Sequence, residues 1–253
     1  MQPSMIQVEH HGTTVMARLN RSVTNALNLD LLNELAEILK KVRKDSTIYS
    51  FILTSANDKF FSIGFDIPEL YGLSRADFKV FYKTFNRVCL ELYTIPKLTI
   101  AAINGHAVAG GCILALCCDY RITAIGKKKM GLNEIKLGLP IPYPADRILN
   151  QIVGYRNARE IVDTGDFYLP EKLFEMGMID RTVPLDTVLQ QAIDRARLMD
   201  TLPVEAYAAI KQNRIEDVEA EISRKLEKKE QIFMDMWFAP ETRKRLEAAM
   251  EKF

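Results

Sequence analysis

Apolar positions in the first half of the chain follow two spacings in turn, one typical of β-strands and one typical of helices. Runs of β type lie at residues 6–9, 15–19, 49–54, 98–103 and 120–123. Helical spacing of apolar residues is found at 28–41, 74–92 and 111–118. The first two β-type runs flank the turn signal His11-Gly12 and predict a hairpin. Strands that alternate with helices predict an α/β core.

The pattern changes after Ala145. Short helical segments are predicted at residues 148–153, 158–164 and 170–177, and from Leu185 onward the chain is helical and increasingly charged. Apolar residues at 232–238 indicate that one side of the last charged helix packs on the core or on a second subunit. We therefore predict an α/β core over residues 1–190 and a helical packing or trimerisation region over residues 191–253.

Composition narrows the class of protein and of partner. Lys and Arg total 34 against 33 for Asp and Glu, so a net charge of +1 gives no support for a nucleic-acid or membrane-surface partner. The longest apolar stretch, at 98–116, contains Asn104, His106 and three glycines, and is not a credible membrane span. The amino-terminal residues contain no apolar core of a secretory signal. We expect neither nucleic acid nor membrane as a partner.

Cysteine usage predicts the compartment. The four cysteines are at positions 89, 112, 117 and 118, and no two form a C-x-x-C pair. Three of them lie inside an apolar run. Buried, reduced thiols in a cytoplasmic protein are the simplest interpretation, ahead of disulfides or a metal site.

Two glycine-containing loops are candidates for anion stabilisation. Residues 59–70 and 104–112 each leave a β-type run, turn at glycine and enter a helix. Helix N-termini present unpaired backbone N–H groups, and two of them aimed at one point would form an oxyanion hole. A glycine pair before a helix is more often simple turn chemistry, so spacing alone leaves both interpretations open. No Lys-Ser/Thr follows the glycine pair, which disfavours a phosphate loop.

The order and spacing of several motifs resemble the crotonase (enoyl-CoA hydratase/isomerase) superfamily over nearly the whole chain. These motifs are ARLNR at 17–21, NAL at 25–27, FFSIGFDI at 60–67, IPKLTIAAINGHAVAGGC at 95–112, CDYRI at 118–122, GLNEIKLG at 131–138, TG at 164–165 and EMGMIDRTVP at 175–184. The resemblance implies a spiral of β-β-α repeats with a helical C-terminal part, and assembly as a homotrimer or as a hexamer of paired trimers.

The resemblance also implies which residues act on an acyl-CoA substrate. Backbone N–H groups of Phe65 and Gly110 would form the oxyanion hole, and Glu134 would be the catalytic carboxylate. The implied substrate-binding residues are Lys59, Ser62, Ile63, Asp66, Ile67 and Ile113, in part through their backbone. No metal or redox cofactor is implied, since coenzyme A enters as part of the substrate.

One position separates the subfamilies. Hydratases of this family use two glutamates, because two carboxylates orient the water that is added. Ile113 stands where the first of them would be, whereas Glu134 matches the second. The resemblance is therefore greatest to Δ3,Δ2-enoyl-CoA isomerases, in which one carboxylate moves a proton from C2 to C4. Three alternatives stay open: an enoyl-CoA hydratase, another chemistry of the family such as hydrolysis or decarboxylation, and a catalytically silent CoA-binding protein.

Some residues depart from the family or are expected to be structural. Ala109 replaces a common glycine, and Phe65 is bulkier than the frequent alanine. Asp119 and Arg121 are predicted to form a structural pair, and Trp237 to pack within or between subunits. Asp66 is expected to act as the N-cap of a helix.

Overall fold

The computed structural model describes residues 4–251 of the chain. Its strands are β1 (Ile6–His11), β2 (Thr14–Leu19), β3 (Ser50–Ser55), β4 (Phe60–Ser62), β5 (Leu98–Ile103), β6 (His106–Val108), β7 (Tyr120–Ala124), β8 (Met130–Gly131) and β9 (Arg181–Val183). Its α-helices are α1 (Leu29–Lys44), α2 (Ile67–Tyr71), α3 (Arg75–Thr94), α4 (Gly110–Leu116), α5 (Tyr143–Thr164), α6 (Pro170–Glu175), α7 (Val188–Arg197), α8 (Val204–Trp237) and α9 (Pro240–Met250). Short 3-10 helices span Glu134–Leu137, Leu185–Thr187 and Leu198–Thr201.

Two sheets organise the core. The large sheet has the order β1-β2-β3-β5-β7-β9, in which β1 and β2 form the predicted antiparallel hairpin and the other neighbours are parallel. The small sheet has the order β4-β6-β8 and is parallel. Strands β3, β5 and β7 each enter the large sheet, and the strand that follows each of them enters the small one. Helices then return the chain, which confirms the expected β-β-α repeats.

Burial explains why the central strands β3 and β5 contain no charged residue. Strands β3 and β5 are buried along their whole length, as parallel strands are when both faces of the sheet are covered. Apolar residues of α1 and α3 cover one face together with α4 and α5. Helix α7 covers the other face, where Val188, Ala192 and Ala196 pack against Ile52 and Ile100.

The carboxy-terminal half differs in two respects from the predicted pattern. The helices expected at 148–153 and 158–164 form one element, α5, which is kinked at Gly154 (φ 72°). The predicted division between residues 190 and 191 falls within α7, whose apolar side belongs to the core. Helix α8 also joins the core, through the buried residues Phe233 and Trp237. The division into two regions stays a prediction.

The prediction that the side chains of Asp119 and Arg121 pair with each other is wrong. Asp119 accepts hydrogen bonds from Lys211 Nζ and Arg214 Nη2 of α8, each at 2.7 Å. Arg121 pairs instead with Asp180, with 2.8 Å between Nη2 and Oδ2. Both partners are distant in sequence, so local spacing could not identify them. The buried contact between Lys211 and Asp119 ties α8 to the large sheet.

Two predictions on burial and membrane association concern the described part of the chain. Between residues 4 and 251, no helix combines the length and apolar character required to cross a membrane. The four cysteines are buried and form no disulfide, as predicted.

Candidate active site

The three strands of the small sheet end at one edge, and each is followed by a segment of the candidate site. Loop 63–66 follows β4, the start of α4 follows β6, and the 3-10 helix Glu134–Leu137 comes shortly after β8. The strands are parallel, so their carboxyl ends converge at the same edge of the sheet. Three segments far apart in sequence are thereby brought together.

The backbone of Leu27 holds the first loop on both sides of Phe65. The Leu27 N–H donates to the carbonyl of Gly64 at 2.7 Å, and the Asp66 N–H donates to the carbonyl of Leu27 at 3.0 Å. Between these two bonds, the Phe65 N–H donates to no group among residues 4–251. The loop is thus fixed while one backbone donor stays available.

Asn25 and Ser62 support the same loop from beneath. The Asn25 amide donates to Ser55 Oγ at 2.8 Å and to the carbonyl of Phe61 at 3.2 Å. Ser62 Oγ donates to the carbonyl of Asn25 at 2.7 Å and accepts from the Gly64 N–H at 3.1 Å. The asparagine of the NAL motif is therefore a positioning residue for the loop.

The second loop presents a helix N-terminus. Ala109 adopts φ 45° and ψ −119°, a conformation that is costly for a residue with a Cβ. Its N–H donates to the carbonyl of Gly131 at 2.9 Å, which ties the loop to β8. Helix α4 begins at the next residue, and within the described range the Gly110 N–H has no hydrogen-bond partner.

The two loops contact each other at glycines. A Cβ on Gly111 would lie 2.3 Å from the carbonyl oxygen of Ser62, so α4 can approach β4 only with glycine at this position. A Cβ on Gly64, which has φ +94°, would lie 2.9 Å from the backbone nitrogen of Gly110. This packing places the residues that carry the two free N–H groups, Phe65 and Gly110, side by side.

Glu134 is a buried carboxylic acid at the start of the 3-10 helix. Its residue is 6% exposed, and its Oε2 atom has no hydrogen-bond partner among the described residues. Burial raises the pKa of Glu134 to about 7, because the charged form loses its hydration. A carboxyl group with such a pKa can both accept and return a proton near neutral pH.

A cavity of about 550 Å³ joins these groups. It is lined by six of the residues predicted for the site, namely Lys59, Ile63, Phe65, Ile67, Gly110 and Glu134. Lys59 is exposed, whereas Glu134 and Gly110 are buried, so the lysine marks the outer part of the cavity. The volume is within the usual range for a small-molecule site.

The side chains of three other predicted residues do not line the cavity. Ser62 Oγ bonds to the backbone of Asn25 and of Gly64. Asp66 is the expected N-cap of α2, where it accepts from the Glu69 N–H at 3.1 Å. Asp66 also pairs with Arg21 at 2.7 Å. Ile113 is fully buried in the core. Substrate contacts of Ser62 and Asp66 would thus involve backbone, and their role and that of Ile113 stay predictions.

Three of the lining residues that the sequence analysis did not place at the site are informative. Phe233 and Trp237 project from α8 into the cavity wall, although their spacing predicts only a packed helix face. Asn133 precedes Glu134, lines the cavity and has its Oδ1 buried without a partner among residues 4–251. Helical spacing indicates which side of α8 is apolar, but it does not identify the surface that this side faces.

Comparison with known proteins decides the family. A family model described as enoyl-CoA hydratase/isomerase matches residues 9–253. The chain belongs to the enoyl-CoA hydratase/isomerase family. Within this family it is 34% identical over 189 residues, 74% of its length, to enoyl-CoA delta isomerase 1, mitochondrial, of Mus musculus. The chain spans 65% of the length of that mouse protein, which is less than two thirds.

Members named as hydratases are also similar to this chain. The chain is 29% identical over 206 residues to the short-chain-enoyl-CoA hydratase of Clostridium acetobutylicum, covering 81% of the chain and 78% of the relative. Among solved structures, the human mitochondrial delta3-delta2-enoyl-CoA isomerase superposes with a TM-score of 0.94 at 28% identity, and 98% of each chain is covered. The expected crotonase fold is confirmed.

Proposed function

We propose that this protein is an acyl-CoA enzyme that isomerises a 3-enoyl-CoA to a 2-enoyl-CoA, with Glu134 as its proton shuttle. The observation that carries the proposal is that Glu134 is the one carboxylate lining the cavity among the described residues. It shares that cavity with Phe65 and Gly110, whose N–H groups have no hydrogen-bond partner between residues 4 and 251. A proton base and an oxyanion hole are the two elements that this isomerisation requires.

The oxyanion hole would act on the thioester carbonyl. Its oxygen accepts hydrogen bonds from the N–H groups of Phe65 and Gly110. When a proton leaves C2, negative charge develops on this oxygen, and donors already fixed in place stabilise the resulting dienolate. The hydrogen bonds of Leu27 and the packing of Gly64 hold the donors in position before substrate binds.

Glu134 would carry the proton. Its carboxylate takes the proton from C2, the electron pair delocalises over the thioester oxygen and C4, and the same carboxyl group returns the proton to C4. The double bond moves from C3–C4 to C2–C3, and no atom is gained or lost. The pKa of about 7 suits both halves of this transfer.

The residue at position 113 favours an isomerase over a hydratase. Addition of water requires a second carboxylate to orient the water. The position that the resemblance assigns to this carboxylate is Ile113, which is apolar and fully buried. The printed names of the relatives include both activities, so they leave hydration as the alternative.

The test compares two substrates. The protein is incubated with a 3-enoyl-CoA and, separately, with a 2-enoyl-CoA, and products are followed by mass and double-bond position. We expect the 3-enoyl-CoA to change double-bond position at constant mass, with very weak addition of water to the 2-enoyl-CoA. Hydration at a rate comparable to isomerisation would contradict the single-carboxylate mechanism. Binding without turnover would support the silent CoA-binding protein.

Three further features remain predictions. We propose that the reaction on acyl-CoA needs no metal or redox cofactor. We also propose that the chain assembles as a homotrimer or hexamer, and light scattering would measure the mass of the assembly. The predicted cytoplasmic location also stays open to test by fractionation, because the mouse relative is named as mitochondrial.

A further inference from the structure

Two aromatic residues of α8 form one wall of the cavity. Phe233 and Trp237 line it and are 2% and 1% exposed. Each is backed by a ring of α3: Trp237 stacks on Phe78 with 4.2 Å between centroids, and Phe233 stacks on Tyr82 with 4.1 Å. Planar rings stacked between two packed helices have little freedom to move aside. We refer to Phe233 and Trp237 as the α8 wall.

The α8 wall is close to the reacting end of the proposed substrate. The Trp237 ring lies 6.5 Å from the ring of Phe65, the residue whose N–H would hold the thioester oxygen. The Phe65 ring is itself held edge-on by Phe81 and Phe85, each at 4.8 Å. The distance between the thioester and the wall is therefore fixed by packed aromatic side chains. A saturated tail that extends past C4 towards α8 would meet the indole, because Trp237 closes that side of the cavity.

Position 237 carries a tryptophan where a smaller phenylalanine would leave no buried donor unpaired. Its indole N–H is buried and has no hydrogen-bond partner among the described residues. An unpaired buried donor is unfavourable, and phenylalanine at this position would avoid it. This cost of the indole points to the area that it adds to the cavity wall.

We propose that Trp237, backed by Phe78, is a specificity-determining residue that limits the acyl chain to short lengths. This inference rests on the proposed function for the identity of the substrate as an acyl-CoA. Within the cavity, each methylene that is buried gains affinity, and each methylene that would overlap the indole gains none.

The test measures dissociation constants of saturated acyl-CoAs, which bind without reacting. Butanoyl-, hexanoyl-, octanoyl-, decanoyl- and dodecanoyl-CoA are titrated by calorimetry into the wild-type protein and into Trp237→Ala. For the wild type, we expect about a fourfold gain in affinity per methylene, followed by an early plateau or decline. For Trp237→Ala, the gain should continue, so that chains beyond the wild-type plateau bind about tenfold more tightly.

Two control variants separate the wall from general effects of mutation. Phe238 packs on the same Phe78 ring at 5.7 Å but does not line the cavity, so Phe238→Ala should keep the wild-type length profile. Trp237→Phe keeps most of the bulk and removes the N–H, and its profile should stay near that of the wild type. Circular dichroism checks the fold of each variant.

The outcomes are distinct for the two proposals. An unchanged plateau in folded Trp237→Ala overturns the limit on chain length, whatever the catalytic activity. A plateau that shifts equally in Trp237→Phe also overturns it, because the N–H and not the bulk would then be responsible. A shifted plateau in a protein that never isomerises 3-enoyl-CoA supports the limit and contradicts only the proposed reaction.

Discussion

A Cβ atom on Gly64 would lie 2.9 Å from the backbone nitrogen of Gly110. The same atom would lie 2.9 Å from the carbonyl oxygen of Val108. Both neighbours are backbone atoms and cannot rotate away, so the two loops of the site meet at a distance that only glycine permits. The backbone at Gly64 also has φ +94°, a conformation that side chains disfavour.

The first prediction concerns Gly64→Ala. The added methyl group should push the two loops apart and displace the free N–H groups, lowering kcat/KM for a 3-enoyl-CoA by about a hundredfold. Gly72→Ala is the matched control, because a Cβ there meets nothing within 4 Å and its φ is −78°. Equal activity of the two folded variants would show that the loop contact is not needed for catalysis.

The second prediction concerns the N–H of Gly110. Gly110→Pro removes this donor, and proline is tolerated at the first residue of a helix, so the loss should again be about a hundredfold or more. Gly110→Ala keeps the donor and brings a Cβ to 3.1 Å from side-chain atoms of Leu27 and Phe65, which can shift. It should lose much less activity. Full activity of folded Gly110→Pro would exclude Gly110 as a donor.

The third prediction concerns the base. Glu134→Gln keeps the size of the side chain and removes its basicity, so turnover should fall by about 10²–10⁴-fold. Saturated acyl-CoA should bind as before, because the oxyanion donors are unchanged. Glu241→Gln, at an exposed position of α9, is the control and should behave as wild type. Loss of binding together with turnover would instead indicate a structural role for Glu134.

The fourth prediction concerns the pH dependence of the rate. Only the ionised carboxylate of Glu134 can take the C2 proton, and its pKa is raised to about 7 by burial. We expect kcat/KM to rise with pH and to reach half its maximum near pH 7. An ordinary exposed glutamate would give a rise near pH 4.5. A profile that is already flat well below pH 7 would contradict the assignment.

The fifth prediction concerns stability. A glutamate whose pKa is raised on folding destabilises the native state as pH increases: the unfolded chain ionises from about pH 4.5 upward, while the folded one stays protonated until about pH 7. Above that range, Glu134→Gln should increase the free energy of unfolding by about 3 kcal/mol, and below it by very little. Denaturant unfolding of both proteins at the two ends of this pH window measures the difference.

Much of the local structure could be predicted from the chain alone. The hairpin, the strand at 98–103 and the amphipathic helix follow from spacing, because periods of 2 and 3.6 residues reflect which side chains face the core. The helix was predicted at 28–41, and the structure has it at Leu29–Lys44. The break predicted between residues 153 and 158 is a kink at Gly154 within one helix, because a single residue with positive φ redirects the chain without ending the element.

The candidate site also has features that the sequence predicts and features that it does not. The sequence alone predicts its chemical groups, because Phe65, Gly110 and Glu134 lie in motifs whose order and spacing resemble one family. It could not determine that Asp119 pairs with Lys211, or that Trp237 faces the cavity. Those contacts join elements that are distant in the chain, and an amphipathic pattern specifies a buried face without specifying its partner. Only the packing of α8 on α3 and α5 specifies what that face touches.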